Sequence, residues 1–349
     1  MKCIPHSRPS IGNDDIKAVS KVLASGMIAQ GKQVENFEKA IARKCKVKYT
    51  VAVNSGSAAL HLALLALKIG EKDSVAIPSY SCTALLNALQ YVGATPEFID
   101  IDPETLNISP KDLKKKMTRR VKTVIVPHMF GFPADLLEIK KLGLPIIEDC
   151  ALALGAKYRG KPVGYWGDIS VFSFYATKVI ATGEGGMITT HSKLLANYIR
   201  DIREYDRSKN FRIRYNYKMT DIAAALGLSQ LSKLNIFLKK REEIAAYYDH
   251  YLCKKRVQDR KLYPDSKPIH YRYILKTDKG VEELIKKLKK NGITAELPVY
   301  RPLHHIYKSS HICRVTDEIW KSVYSIPIYP SLTNAERQQI VRVVKNYDS

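Results

Sequence analysis

No apolar run in the 349-residue chain reaches the ~18 residues that a membrane-spanning helix needs. Even the greasy stretch Ala58 to Ile69 is cut by His61 and Lys68. The first ten residues, MKCIPHSRPS, lack the apolar core of a secretory signal, so the expectation is a cytoplasmic protein. Cysteine is sparse and scattered: Cys3, Cys45, Cys82, Cys150, Cys253 and Cys313 form no C-x-x-C and no Cys/His pairing at zinc spacing. They read as reduced thiols, and no metal is expected. Acidic residues are also short, 34 Asp+Glu against 57 Lys+Arg, for a formal charge of +23. Composition is otherwise that of a globular protein, with 45% hydrophobic and 26% charged residues.

The basic excess has three readings: a nucleic-acid partner, a phosphorylated substrate, or a lysine-rich source composition. Charge bears on steering and solubility, not on fold. Runs such as KDLKKKM (111–117) and IKKLKKNG (285–292) fit solvated helix faces with Leu or Ile at helical spacing.

Between residues 49 and 190, short apolar runs alternate with helical patterns, a rhythm that predicts parallel strands joined by helical crossovers. The expected strands are 49–53, 74–78, 96–101, 122–127, 144–149, 169–174 and 186–190, forming one seven-stranded, mostly parallel sheet. Helices are expected at Ser57 to Ile69, Ser81 to Tyr91, Pro110 to Met117 and Asp135 to Lys141. Two more precede the first strand, at Asn13 to Ser25 and Val34 to Lys44. Beyond the last strand, 194–205 and a long element from Thr220 to Leu252 read as helical. A strand at 270–276 and helices at 280–290, 316–324 and 334–346 suggest a smaller α+β region. The expected division is therefore a large α/β domain, 1–245, and a C-terminal α+β domain, 246–349.

In open α/β sheets, ligands bind beyond the carboxyl ends of the strands. Three such places carry chemistry here. Asn54-Ser55-Gly56-Ser57 opens a helix, where free N–H groups suit either an anion or an ordinary cap. The loop lacks the lysine of a P-loop and the spacing of a dinucleotide fingerprint. Asp149 ends the run LPIIED, placing a carboxylate at the mouth of a strand; a capping role fits equally well in isolation. Finally, SVFSFYATKVIATGEGGMITT (170–190) carries Ser173, then Lys178 in a turn, then a glycine-rich link.

Together these segments resemble the DegT/DnrJ/EryC1/StrS family of pyridoxal-phosphate-dependent sugar aminotransferases, of the aspartate-aminotransferase fold. The likeness runs nearly end to end, through IPHSRPSIGNDD, VAVNSGSAALHLALLAL, VPHMFGFPAD, IIEDCALALGA, SVFSFYATK, GEGGMITT and YNYKMTD. The ordered ED-x-A, SF-x-x-x-K and GEGG elements carry most of its specificity. By resemblance, Lys178 forms the Schiff base with pyridoxal 5'-phosphate and shuttles the proton. Asp149 would hold the pyridine nitrogen protonated, while Gly56, Ser57 and Ser173 would bind the cofactor phosphate. Asn216 lies in an element that, in the family, reaches the partner subunit's cofactor, which implies a homodimer with shared sites.

Two positions depart from the common pattern. Leu152 stands where the family usually carries Gln or His against the cofactor's phenolic oxygen, a lost hydrogen bond of ~1 kcal/mol. Cys82 stands near the usual ring-packing aromatic, within PSYSCTAL, an element a subset of the family shares. The resemblance implies transfer of an amino group from glutamate to a nucleotide-diphosphate-linked keto-6-deoxy sugar at C3 or C4, serving amino sugar and surface polysaccharide biosynthesis. A weakened relative with a binding or regulatory role is the alternative that Leu152 motivates. Nucleic acid is the less favoured partner, motivated only by the charge and by the Arg/aromatic interleaving at 198–217. Arg200, Arg203, Arg207, Lys209, Arg212, Arg214 and Lys218 are a candidate wall for a diphosphate, against a solvated helix face. His304 and His305 fall where relatives carry a substrate-side histidine, and either could simply pack or cap.

Overall fold

A computed structural model describes residues 3–206, 210–258 and 263–348. Arg207 and Lys209 of the candidate wall lie outside the described residues.

Two helices precede the sheet, α1 (Asn13–Ser25) and α2 (Lys32–Cys45). Strand β1 (Tyr49–Val53) leads into α3 (Gly56–Ala66), β2 (Ser74–Pro78) into α4 (Ala84–Tyr91), and β3 (Thr95–Ile99) into α5 (Pro110–Lys116). Next come β4 (Val121–Pro127), α6 (Leu136–Lys140) and β5 (Ile146–Asp149). A short hairpin, β6 (Lys157–Tyr158) and β7 (Lys161–Pro162), precedes β8 (Ile169–Ser173) and β9 (Gly186–Thr190). The sheet order is β1-β9-β8-β5-β4-β2-β3.

All seven expected strands are present, and most pair in parallel. The exception is β9, which runs antiparallel to both β1 and β8. The reason is the connection: no crossover helix lies between Ser173 and Gly186, and parallel neighbours need one. This link carries Lys178. Its closing glycines answer a steric demand, because a Cβ on Gly186 would lie 2.3 Å from the Ser55 carbonyl oxygen. The start of β9 can therefore pass directly beneath the N-terminus of α3.

Helix α3 buries on nearly every side, as GSAALHLALLA dictates, and its apolar residues pack with Val51, Val53, Ile125 and Ile147 of the sheet. Helices α7 (Lys193–Arg203), α8 (Asp221–Ser232) and α9 (Leu234–Leu252) follow β9. The single long helix expected from Thr220 is thus two helices, parted at Lys233, whose amine pairs with the buried Asp15 of α1.

After α9 come β10 (Tyr273–Lys276), α10 (Val281–Lys290), the one-turn α11 (Leu303–Ile306), α12 (Arg314–Ser322), β11 (Val323–Ile326) and α13 (Asn334–Asp348). The expected helix at 316–324 ends at Ser322, because Val-Tyr-Ser-Ile pairs antiparallel with β10 instead. Its Tyr324 and Ile326 join a second core with Tyr248, Leu275 and Val344. Ile4 enters this same core and hydrogen-bonds on both sides of Ile293.

Candidate active site

The carboxyl ends of the parallel strands open into a cavity of about 290 Å3. Pro127 closes β4 there, Asp149 closes β5, and Ser81, Cys82 and Thr83 follow β2. Lys178 and Thr177 enter from the loop after β8; Leu152 enters from the turn after β5. The remaining wall is Met129 and Phe130 together with Tyr271, Arg272, Tyr300, Arg301 and Ile306 from the C-terminal third.

Side chains alternate along a strand, so the adjacent acids of β5 take opposite duties. Glu148 is fully buried and accepts hydrogen bonds from His128 Nε2 at 2.9 Å, Gly164 N at 2.7 Å, Trp166 N at 3.0 Å, Gly167 N at 2.9 Å and Ser170 Oγ at 3.0 Å. Burial alone would raise its pKa, but these donors, His128 foremost, hold it below the ordinary carboxylate value. His128 Nδ1 accepts the Ala134 N–H at 2.9 Å, so the proton sits on Nε2 and points to Glu148. Glu148 thereby ties β5 to the 164–167 loop and to the turn after β4.

Asp149 faces the cavity. One of its oxygens accepts the Ala151 N–H at 2.9 Å. Burial raises its pKa, and that bond with the Lys178 charge offsets the rise only in part. The amine of Lys178 lies 5.7 Å from the centre of the Tyr271 ring. Burial by itself would raise the Tyr271 phenol; the Lys178 and Arg272 charges, the Thr177 hydroxyl and Arg241 together hold it below its usual value. Tyr271 is set in place by its own backbone: its N–H donates to Phe130 O at 3.0 Å, and its carbonyl accepts from Arg241 at 3.1 Å. Arg241 also donates to Ile328 O at 2.9 Å, and burial draws its pKa down to about 10.

The 129–131 turn makes this approach possible. Phe130 has φ 58°, and Gly131 has φ 90°. A Cβ on Gly131 would lie 2.7 Å from Ile269 and 3.0 Å from the Tyr271 nitrogen. Only glycine lets the 269–271 segment lie against the strand ends.

Of the residues singled out from the sequence, Lys178, Asp149, Cys82 and Leu152 line this one cavity. Gly56, Ser57 and Ser173 do not line it. They meet beside it, where a Cβ on Gly56 would lie 2.9 Å from that of Ser173. Ser55 caps α3 through Ala58 N at 3.1 Å, leaving the Gly56 and Ser57 amides without a hydrogen bond among the described residues. Asn216 is exposed; its carbonyl accepts from the Asn54 side chain at 3.3 Å.

The candidate arginine wall has other occupations. Arg200 donates to Thr50 O, Arg203 to Ala52 O and Glu38, and Arg212 and Arg214 both pair with Asp201. They hold α7 and its following loop rather than line the cavity. Sequence reasoning missed Tyr271, Arg272, Tyr300 and Arg301. Tyr271 and Arg272 sit where a longer strand is expected, at 270–276, and the observed strand starts only at Tyr273.

Among the described residues, no helix is long and apolar enough to cross a membrane. The model of the DegT/DnrJ/EryC1/StrS aminotransferase family matches residues 9–345. The GDP-perosamine synthase of Escherichia coli O157:H7 is 36% identical, with 100% of both chains covered. The spore coat polysaccharide biosynthesis protein SpsC of Bacillus subtilis is 35% identical, over 98% of this chain and 96% of that one. Among solved structures, the PMP form of the putative sugar aminotransferase Spr1654 from Streptococcus pneumoniae superposes with a TM-score of 0.91. It is 27% identical and covers 99% of this chain and 97% of that one. Agreement in sequence and backbone over nearly the full length leads to one assignment: the chain belongs to the DegT/DnrJ/EryC1/StrS aminotransferase family and is a pyridoxal-phosphate-dependent sugar aminotransferase.

Proposed function

We propose that the protein transfers an amino group from glutamate to C3 or C4 of a nucleotide-diphosphate-linked keto-6-deoxy sugar. The observation that carries this reading is one cavity holding an amine, Lys178, and a buried carboxylate, Asp149, at the strand ends. This donor set suits pyridoxal phosphate. An amine is what its aldehyde combines with, a buried carboxylate suits its ring nitrogen, and the unpartnered amides of Gly56 and Ser57 suit its phosphate. When bound, the cofactor supplies an electron sink that stabilises negative charge on the reacting carbon.

The chain's own residues do the rest. Lys178 Nζ moves a proton at the reacting carbon, which requires it to become neutral part of the time. Asp149 keeps the opposite side of the site anionic, and Ser173 lends its hydroxyl to the phosphate. Cys82 and Leu152 give the cavity smaller and more apolar walls than the family's usual aromatic and its usual Gln or His. Arg301 lines the mouth with no ion pair among the described residues, so it is the cation free to meet an anionic substrate.

The name of the Escherichia coli relative makes a GDP-linked sugar the first to try, and that of the Bacillus relative supports a place in polysaccharide biosynthesis. A homodimer with shared sites belongs to the same proposal. Its support is the exposed Asn216 segment, where Phe211 and Ile213 are 99% and 73% exposed.

The test is incubation of the cofactor-loaded protein with glutamate and a panel of nucleotide-linked 3-keto and 4-keto sugars, with products read by mass. A one-nitrogen exchange on one sugar is expected. No product from any sugar, with glutamate also failing to convert the cofactor, would leave the weakened-relative reading that Leu152 motivates.

A further inference from the structure

Two clusters among the described residues bring three metal-ligating atoms within 4.8 Å of one another. The first, His128 with Glu148 and Cys150, is already committed. Both imidazole nitrogens are used, Glu148 accepts five donors, and burial and the Glu148 charge push the Cys150 thiol well up. It is a closed polar network.

The second cluster, in the C-terminal region, is built differently. His304 Nε2 lies 3.3 Å and His305 Nε2 lies 2.9 Å from the same oxygen, Asp317 Oδ1. That oxygen is buried, yet no hydrogen bond reaches it. The two nitrogens are near without directing an N–H at it, and a buried carboxylate oxygen left so is costly. Successive residues of a helix project about 100° apart. Neighbouring imidazoles with ring centres 4.2 Å apart, both turned to one carboxylate, therefore depart from what helix geometry alone produces.

The outer contacts fit as well. Ser79, fully buried, stands 2.5 Å from His304 Nδ1. When Nδ1 donates to this oxygen, Nε2 keeps its lone pair, the arrangement that orients a metal-bound imidazole.

We propose that His304 Nε2, His305 Nε2 and Asp317 Oδ1 form a binding site for a first-row transition-metal ion such as Zn2+. Two imidazoles and one carboxylate leave a fourth position for water. The nitrogen donors select Zn2+ and its neighbours over Mg2+ or Ca2+. Sequence spacing conceals the site because Asp317 lies on α12, outside the His304-His305 turn. The ion would link α11 to α12, next to Tyr300, Arg301 and Ile306 of the cavity wall.

The test is titration of the cofactor-loaded, chelator-dialysed full chain with Zn2+, followed by calorimetry. One ion per chain with micromolar or tighter affinity is expected. His305→Ala and Asp317→Asn should each weaken binding at least ~10-fold. His311→Ala, whose ring pairs with Glu97 instead, should change it less than about twofold. Unchanged cofactor absorbance and melting temperature certify that each variant is folded. Absence of micromolar binding to the wild type would overturn the site. So would wild-type affinity in both variants, which would place the ion elsewhere, on a thiol for example.

Discussion

The floor and the roof of the cavity are held in opposite ways. The floor hangs on Glu148, whose five donors come from β8, the 164–167 loop and the turn after β4. The roof is two segments, 269–272, tethered through its backbone to Phe130, Gly131 and the Arg241 side chain, and 299–301, where Tyr300 is 85% exposed. A saturated buried network is rigid and fails when one member is lost. A loop-borne wall can change side chains without disturbing the sheet. Under the proposed function, the difference would separate residues that set the chemistry from residues that choose the substrate.

Five substitutions sharpen or break that division. Lys178→Ala should show the largest effect, a fall in amination rate of about 10³-fold or more, with borohydride no longer fixing cofactor to the protein by mass. Substantial residual turnover with covalent fixation elsewhere would end the assignment.

Glu148→Gln comes next, as a stability effect. It replaces one acceptor oxygen by a donor facing N–H groups, for a loss of about 3 kcal/mol in denaturant unfolding. The sign with pH follows from a folded pKa below the ordinary carboxylate value. The wild-type contribution is complete above that value and is lost as pH falls below it, so the variant should show a flatter stability profile in acid.

Asp149→Asn should lower turnover about 10²-fold while leaving unfolding nearly unchanged, since its neighbours contribute only one backbone donor. Equal damage to stability would place Asp149 with Glu148 as a scaffold residue.

On the roof, Arg301→Ala should raise the KM for the sugar nucleotide about 10-fold with little change in kcat. Smallest of all, Tyr271→Phe should change turnover less than about threefold, because the ring facing Lys178 is retained and only the hydroxyl is lost. A large loss there would move Tyr271 from the wall to the chemistry.

Most of the floor was readable from the chain. Apolar runs separated by helical periods place the strands, and polar residues just beyond them mark Asp149 and Lys178. The reversed direction of β9 was less visible, since a strand's sequence does not state which way it runs. Glu148 was hidden for a related reason: a buried acid beside a cavity-facing acid differs only in which side of the pleat it occupies. Tyr271, Arg272 and Arg301 were missed because nothing local distinguishes them from other basic and aromatic residues; a return of the chain over the strand ends brings them in. Arg200, Arg203, Arg212 and Arg214 looked like part of a substrate wall; instead the first two tie α7 to β1 and α2, and the last two pair with Asp201 of α7.

By itself, the amino-acid order determined the alternation of strands and helices, the glycines at Gly131 and Gly186, and the ordered motifs that carry Lys178 and Asp149. These are local properties, set by side-chain period, steric size and ordered motifs. Only the tertiary structure decided which acid faces the cavity, which arginines remain free, and that two neighbouring histidines meet an aspartate from another helix. Those outcomes depend on distances between residues far apart in the chain, and such distances exist only after the second core packs against the sheet.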